Sequence, residues 1–96
     1  MLNEPLSALE LKNLLRAILD NPGALRYSKH ALDEMAKDSI IKPEIHSALR
    51  AGQMTEPPEM ENGTWRYRIR TQKLVIVVAL RSEAIATVIT AWKLRR

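Results

Sequence analysis

The sequence contains no cysteine, so disulfides, thiolate metal sites and cysteine nucleophiles are all excluded. Its longest apolar run, LVIVVAL, is far shorter than the roughly 20 residues that a membrane-spanning helix needs. The N-terminal stretch MLNEPLSALE lacks the basic start and the apolar block of a secretory signal. Together these absences predict a soluble, cytoplasmic protein that does not enter a membrane.

Acidic residues are almost missing from the C-terminal third of the chain. Residues 64–96 contain eight bases and a single acid, for a formal charge of +7, whereas residues 1–63 contain seven bases and ten acids, for −3. The eight bases are Arg66, Arg68, Arg70, Lys73, Arg81, Lys93, Arg95 and Arg96. This asymmetry is typical of a surface that binds a polyanion, most often nucleic acid. The alternative is a solvated basic strand face that has no partner.

The length of 96 residues predicts one domain, because such a chain can bury one core but not two. Within residues 1–96 we expect an N-terminal helix in 1–22, a helical segment in 23–52 and an antiparallel sheet in 53–96. Apolar residues recur at helical spacing in the first two segments. Ser28 is predicted to cap the second helix, which runs to about Asp38. Pro43 is predicted to begin a third helix, with Gly52 as its C-terminal stop.

Strand signals dominate after this point. The stretch TWRYRIR alternates between apolar residues and arginines, KLVIVVAL has the pattern of an inner strand, and AIATVITAWKL is rich in β-branched residues. Short connections favour an antiparallel meander. The stretch QMTEPPEM, with Pro57 and Pro58, can pair only as an edge strand or an irregular connection. Helices followed by strands predict an α+β domain whose N-terminal helices pack on one face of a small antiparallel β-sheet.

Several kinds of catalytic site lack the residues they require. His30 and His46 are the only histidines, and no further soft ligand lies near either in sequence, so a zinc site is not expected. The strands have almost no carboxylates for a two-metal nuclease site, and the three glycines form no phosphate loop. Metal-free cleavage of RNA remains open. In that reaction the 2′-hydroxyl attacks phosphorus, and the protein supplies a proton acceptor, a proton donor and positive charge.

Two groups of side chains fit these needs. His30, predicted in the first turn of the second helix, can move protons near neutral pH, and Glu34 at i+4 is placed to orient its ring. Arg66 and Arg68 can hold a phosphate with forked donors. Each feature has an ordinary alternative, because a helical histidine is often a surface or capping residue and alternating arginines are often the wet side of a strand. Trp92 either stacks on a base or closes the core at its rim.

The order of these segments resembles a known group of proteins. YSKHALDEM, IHSALRAG, ENGTWRYRIRT and a closing IATVITAW resemble small bacterial domains in the neighbourhood of the MqsR-like and RelE-like ribonuclease toxins. The resemblance runs from about Tyr27 to Lys93, and the S-x-H-A helix start and the T-A-W strand end carry most of it. It implies a RelE/MqsR-like fold, mRNA cleavage without a cofactor, and a neutralising antitoxin of the MqsA-like zinc-finger, DNA-binding kind.

The resemblance also extends the set of candidate site residues. It places Thr90, in the final strand, in the same region as His30, Arg66 and Arg68. RelE-like enzymes rely on lysine, arginine and tyrosine and often lack a catalytic histidine, so roles do not transfer one for one. Further residues are predicted to bind the RNA, and these are Lys29, Arg70, Lys73, Trp92 and Lys93.

The resulting hypothesis is an endoribonuclease toxin, acting on free or ribosome-associated mRNA. His30 acts as general acid or base, Arg66 and Arg68 stabilise the reacting phosphate, and Thr90 positions it. A second hypothesis is a non-catalytic module that binds RNA, or an acidic protein surface, through the same arginines. A third is a degenerate toxin that keeps the fold and antitoxin binding but has lost cleavage.

Overall fold

Residues 2–94, which a computed structural model describes, form three helices and a five-stranded sheet. The helices are α1 (Ala8–Leu19), α2 (Lys29–Lys37) and α3 (Lys42–Ala51). The strands are β1 (Leu25–Tyr27), β2 (Glu59–Glu61), β3 (Thr64–Arg70), β4 (Leu74–Leu80) and β5 (Ala86–Lys93). The predicted α+β class is confirmed. Arg95 and Arg96, which contribute to the basic charge of the sequence, lie outside the described residues.

The helix ends follow from local hydrogen bonds. Ser7 and Glu10 form a capping box at α1, in which each side chain accepts a hydrogen bond from the other residue's backbone N–H. Ser28 caps α2 as predicted, because its hydroxyl oxygen accepts a hydrogen bond from Ala31 N at 3.0 Å. Pro43 is the second residue of α3 rather than the first. None of the helices within residues 2–94 has the length and apolar character needed to cross a membrane.

The sheet has the strand order β1-β5-β4-β3-β2. Strands β3, β4 and β5 form the predicted antiparallel meander, and β2 is an antiparallel edge strand on β3. Strand β1 lies outside the antiparallel sheet predicted for residues 53–96, and it pairs in parallel with β5, so the complete sheet is mixed. The physical reason is that β1 is joined to β5 through two helices and three strands instead of a hairpin, so no turn reverses its direction. Strand β1 is only three residues long, too short for its local sequence to indicate the strand with which it pairs.

All three helices contribute to a core on one face of the sheet. The buried cluster includes Leu11, Leu15, Ala31, Met35, Ile45, Leu49, Tyr67, Ile69, Ile76 and Val78. Strand β4 is buried along its whole length, which confirms its assignment as an inner strand. Because side chains alternate along a strand, the arginines of β3 project from the opposite face. We call this face, which points away from the helices, the outer face.

One tyrosine ties the N-terminal segment to the sheet and allows a test of the fold. The buried Tyr67 hydroxyl accepts a hydrogen bond from Leu6 N at 3.1 Å and donates one to Glu4 Oε2 at 2.7 Å. Burial, together with the Glu4 carboxylate, raises the pKa of Tyr67 to about 12, so the hydroxyl keeps its proton at neutral pH. We expect Tyr67→Phe to lower the free energy of unfolding by about 1–2 kcal/mol, as measured by chemical denaturation.

Tyr27→Phe is the matched control for this substitution. The Tyr27 hydroxyl is buried and has no hydrogen-bond partner in the described structure, so its removal breaks no bond and leaves stability unchanged or slightly higher. Equal losses in the two variants would contradict the assigned role of the Tyr67 hydroxyl.

A candidate anion-binding cleft on the outer face of the sheet

The outer face contains a cleft of about 170 Å³. Four of the predicted site residues line it together, namely Arg66, Arg68, Thr90 and Trp92. The strand register explains their proximity, because Arg68 lies opposite Val77 on β4 and Val77 lies opposite Thr90 on β5. Directly opposed residues on antiparallel strands have Cα atoms only about 5 Å apart. Strands β3 and β5 therefore present their polar side chains on either side of a small apolar floor.

A bulge in β5 brings Thr90 and Trp92 to this face. Val78 pairs with Val88 and Val77 pairs with Thr90, so Ile89 is an extra residue in the register. Before the bulge Val88 belongs to the core cluster, and after it Ala91 does. Simple alternation from Val88 would place Thr90 in the core, because one added residue exchanges the two faces of a strand. The bulge thus creates the cleft wall that β5 contributes.

Arg68 is held on two sides. Its Nη1 lies 3.0 Å from Glu56 Oε2, and its guanidinium carbon lies 5.8 Å from the centroid of the Trp92 ring. A guanidinium at this distance from an indole is within range of a cation–π attraction. Trp92 is half-buried and lies outside the core cluster. The structure therefore places the Trp92 side chain in the cleft, where it orients Arg68.

Arg66 has a less complete set of partners. Its Nε lies 3.5 Å from Glu61 Oε2, which makes an ion pair. This Nε is nevertheless buried and donates no hydrogen bond within the described residues. A buried N–H without an acceptor is unfavourable. An anionic oxygen that entered the cleft would satisfy it.

Sequence reasoning missed the carboxylates of the cleft. Glu56, Glu59 and Glu61 line it beside the arginines, although they belong to the acidic part of the chain. The available signal was the Asn62-Gly63 pair, a common sequence of tight hairpin turns. Its two residues have the positive φ angles of 51° and 77°. That hairpin pairs β2 with β3, and it sets Glu59 opposite Arg66.

His30 is exposed in the first turn of α2. This helix lies beside β5, because Ser28 Oγ donates to Ile89 O at one end and Lys93 N donates to the Asp38 carboxylate at the other. His30, Glu34 and Asp38 are spaced four residues apart, so they share one side of the helix. On this side, the Asp38 carboxylate accepts the hydrogen bond from Lys93 N of β5. This spacing places His30 on the flank of α2 that borders β5, and His30 does not line the cleft itself.

Glu34, the expected orienting partner of His30, has a different principal contact. Its carboxylate lies 2.7 Å from Lys37 Nζ. This hydrogen bond is the main cause that lowers the pKa of Glu34, and the charge of His30 is a smaller one. Glu34 therefore influences His30 through charge more than through a fixed hydrogen bond.

The remaining predicted RNA-binding residues lie outside the cleft. Arg70 exchanges backbone hydrogen bonds with Gln53 and has an exposed side chain. Lys73 borders a hollow beside α3, and Lys93 is exposed at the end of β5. Lys29 is exposed at the start of α2. The structure thus collects four predicted residues in one site and leaves these four around its periphery. No group of three or more His, Asp or Glu residues within 2–94 is placed to hold a metal ion.

The fold and the cleft define a small α+β domain with a charged cleft on the outer face of its sheet. Residues 27–93 match the family model described as a domain of unknown function, DUF4258, and the chain belongs to this family. No curated protein and no solved structure matches the chain. The matched region contains His30 and every residue of the cleft, and it leaves α1 outside.

Proposed function

We propose that this protein is a metal-independent endoribonuclease toxin of a bacterial toxin–antitoxin system, acting on mRNA in the cytoplasm. The observation that supports the proposal is the cleft in which Arg66, Arg68, Thr90 and Trp92 meet from two strands. The resemblance to MqsR-like and RelE-like toxins spans nearly the same residues as the family match. An antitoxin of the MqsA-like zinc-finger kind is the proposed partner.

Phosphate binding is assigned to the arginines. The Arg68 fork is oriented by Trp92, and Arg66 retains a donor without an acceptor. Charge builds up on the phosphate oxygens as the 2′-oxygen attacks, and prearranged guanidinium groups stabilise that charge more than they stabilise the substrate. Thr90 donates a hydrogen bond from its hydroxyl group to a non-bridging oxygen. The Trp92 ring offers an apolar surface for a neighbouring base.

Proton transfer is assigned to His30. When the 2′-oxygen bonds to phosphorus, its proton passes to a base, and the departing 5′-oxygen receives a proton from an acid. His30 takes one of these roles, approaching from the flank of α2 beside β5. The products are one fragment with a 2′,3′-cyclic phosphate and one with a 5′-hydroxyl.

The direct test is incubation of the purified protein with end-labelled RNA in the presence of a chelator. We expect fragments with cyclic phosphate ends, and no fragments from RNA whose 2′-hydroxyls are methylated. RNA that stays intact both as free RNA and on translating ribosomes, or cleavage that needs a divalent ion and leaves a 3′-hydroxyl, would contradict the proposal.

A second candidate function is a non-catalytic module that binds RNA, or an acidic protein surface, through the same arginines. The observation that favours it is the position of His30, which is exposed and outside the cleft lining. Such a module binds RNA without yielding fragments. Induced expression in bacteria separates the two, because only an active toxin arrests growth and is relieved by its antitoxin.

A further inference from the structure

The segment that precedes β3 lies across the arginine side of the cleft. Its residues 56–61, here called the acidic strap, contain three glutamates, a Pro-Pro pair and strand β2. Backbone hydrogen bonds hold this part of the chain against β3 at two places. One is between Gln53 and Arg70, before the strap, and the other is the β2–β3 ladder. Pro57 and Pro58 cannot donate to a ladder. The chain from Gln53 to Glu61 is thus fixed at both ends and unpaired between them, where Glu56 reaches Arg68.

The strap neutralises both arginines that the proposed function assigns to phosphate. Glu56 Oε2 lies 3.0 Å from Arg68 Nη1, and Glu61 Oε2 lies 3.5 Å from Arg66 Nε. A carboxylate and a phosphate present similar oxygen pairs to a guanidinium fork. The two carboxylates therefore lie where oxygens of a phosphodiester would bind. With Glu59 included, the acids of the cleft outnumber its arginines.

These ion pairs have the properties of contacts that can be displaced. The side chains of Glu56 and Glu61 are 43% and 62% exposed, and exposed pairs of this kind contribute little to stability. Rotation of the two glutamate side chains into solvent would clear the cleft without breaking the β2–β3 ladder. A polyanion presents several phosphates and releases counterions when it binds, so it can replace the carboxylates where a lone small anion cannot.

We propose that the acidic strap is an intramolecular competitor for the cleft, in which Glu56 and Glu61 occupy Arg68 and Arg66 until the phosphates of an RNA strand displace them. The inference rests on the proposed function, since it assigns regulation to the same site. Its consequence is that the parent protein binds RNA more weakly than its arginines allow, and that removal of the two competing charges tightens binding.

The test measures binding separately from cleavage. The probe is a fluorescein-labelled single-stranded oligonucleotide with 2′-O-methyl sugars, which cannot undergo attack by a 2′-oxygen. Fluorescence anisotropy gives its affinity for the parent, for the double variant Glu56→Gln with Glu61→Gln, and for the matched control Glu59→Gln. Glu59 also lines the cleft but forms no ion pair within the described residues, so the control removes a cleft charge without breaking a contact. Thermal unfolding verifies that the variants are folded.

Three outcomes are informative. We expect the double variant to bind about tenfold more tightly than the parent, because it removes both competing ion pairs. Glu59→Gln removes a charge from the cleft lining but no ion pair, so it should tighten binding by only about twofold. If the parent binds but the double variant gains no more than Glu59→Gln, the strap is not a competitor and the proposed function stands. If neither the parent nor any variant binds the probe, the proposed function fails and the inference fails with it.

Discussion

Arg68→Ala should lower the rate of RNA cleavage by about 10²–10³-fold, the usual effect of removing one prearranged donor to a developing negative charge. Arg68 contributes a guanidinium that Trp92 orients, so its loss removes charge and geometry together. Single-turnover cleavage of labelled RNA in a chelator measures the effect.

The control for this variant is Arg81→Ala. Arg81 is exposed in the β4–β5 connection and lies outside the cleft. Its replacement removes only a distant charge whose effect on the cleft is screened by salt, so the cleavage rate should stay within about twofold of the parent. Arg68→Lys adds a second check. A lysine restores the charge but not the forked donors, and we expect it to recover only a small part of the rate. Equal rates for Arg68→Ala and Arg81→Ala would remove Arg68 from the mechanism.

His30→Ala should lower cleavage on the order of 10²-fold or more, because a side chain that transfers a proton in the transition state contributes about that much. His30 is exposed in the first turn of α2, so the substitution leaves the core intact. Affinity for the methylated oligonucleotide should change little, which distinguishes a proton-transfer group from a phosphate-binding group. The same single-turnover assay provides the rate.

His46→Ala is the matched control. His46 is half-buried on α3 and borders a hollow with Tyr27 and Lys42, away from the cleft residues. Its replacement should leave the cleavage rate near that of the parent. A His30→Ala protein that cleaves as fast as His46→Ala would exclude the histidine as acid or base, and the second candidate function, a binding module, would then be favoured.

Local pattern was sufficient to predict most elements of the fold. Ser28 was recognisable as a helix cap from its position before KHALDEM, and Gly52 as a stop after a run of helical spacing. The alternation in TWRYRIR correctly separated Tyr67 and Ile69, which are buried, from the arginines. These signals are short-range, because capping and side-chain alternation depend on residues within one or two turns.

Features that depend on pairing between distant segments could not be predicted in this way. The parallel alignment of β1 with β5 has no local signature in three residues. The bulge at Ile89 reverses the parity of the last strand, so the position of Thr90 on the arginine face does not follow from counting residues. For the same reason, the sequence allowed Trp92 either to stack on a base or to close the core at its rim. The strand register places its side chain in the cleft.

The charge distribution along the sequence was a poor guide to the charge of the site. Division of the chain at residue 63 suggested a strongly basic surface, yet the Asn62-Gly63 turn folds three glutamates from the acidic side onto the arginines. Sequence distance and spatial distance differ most across a hairpin. The local balance of charge, and not the total, determines whether an anion can enter without displacing a carboxylate.

The central claim is that one RNA strand at the same time places a phosphate on the β3 arginines, a base on Trp92 and an oxygen of the reacting bonds beside the histidine of α2. Titration of isotope-labelled protein with the 2′-O-methyl oligonucleotide, followed by side-chain NMR, tests it directly. The account predicts that the Arg66 and Arg68 Nε–H signals, the Trp92 indole signal and the His30 ring signals shift together with one binding constant. Shifts of the arginine and tryptophan signals with an unchanged His30 ring would contradict it.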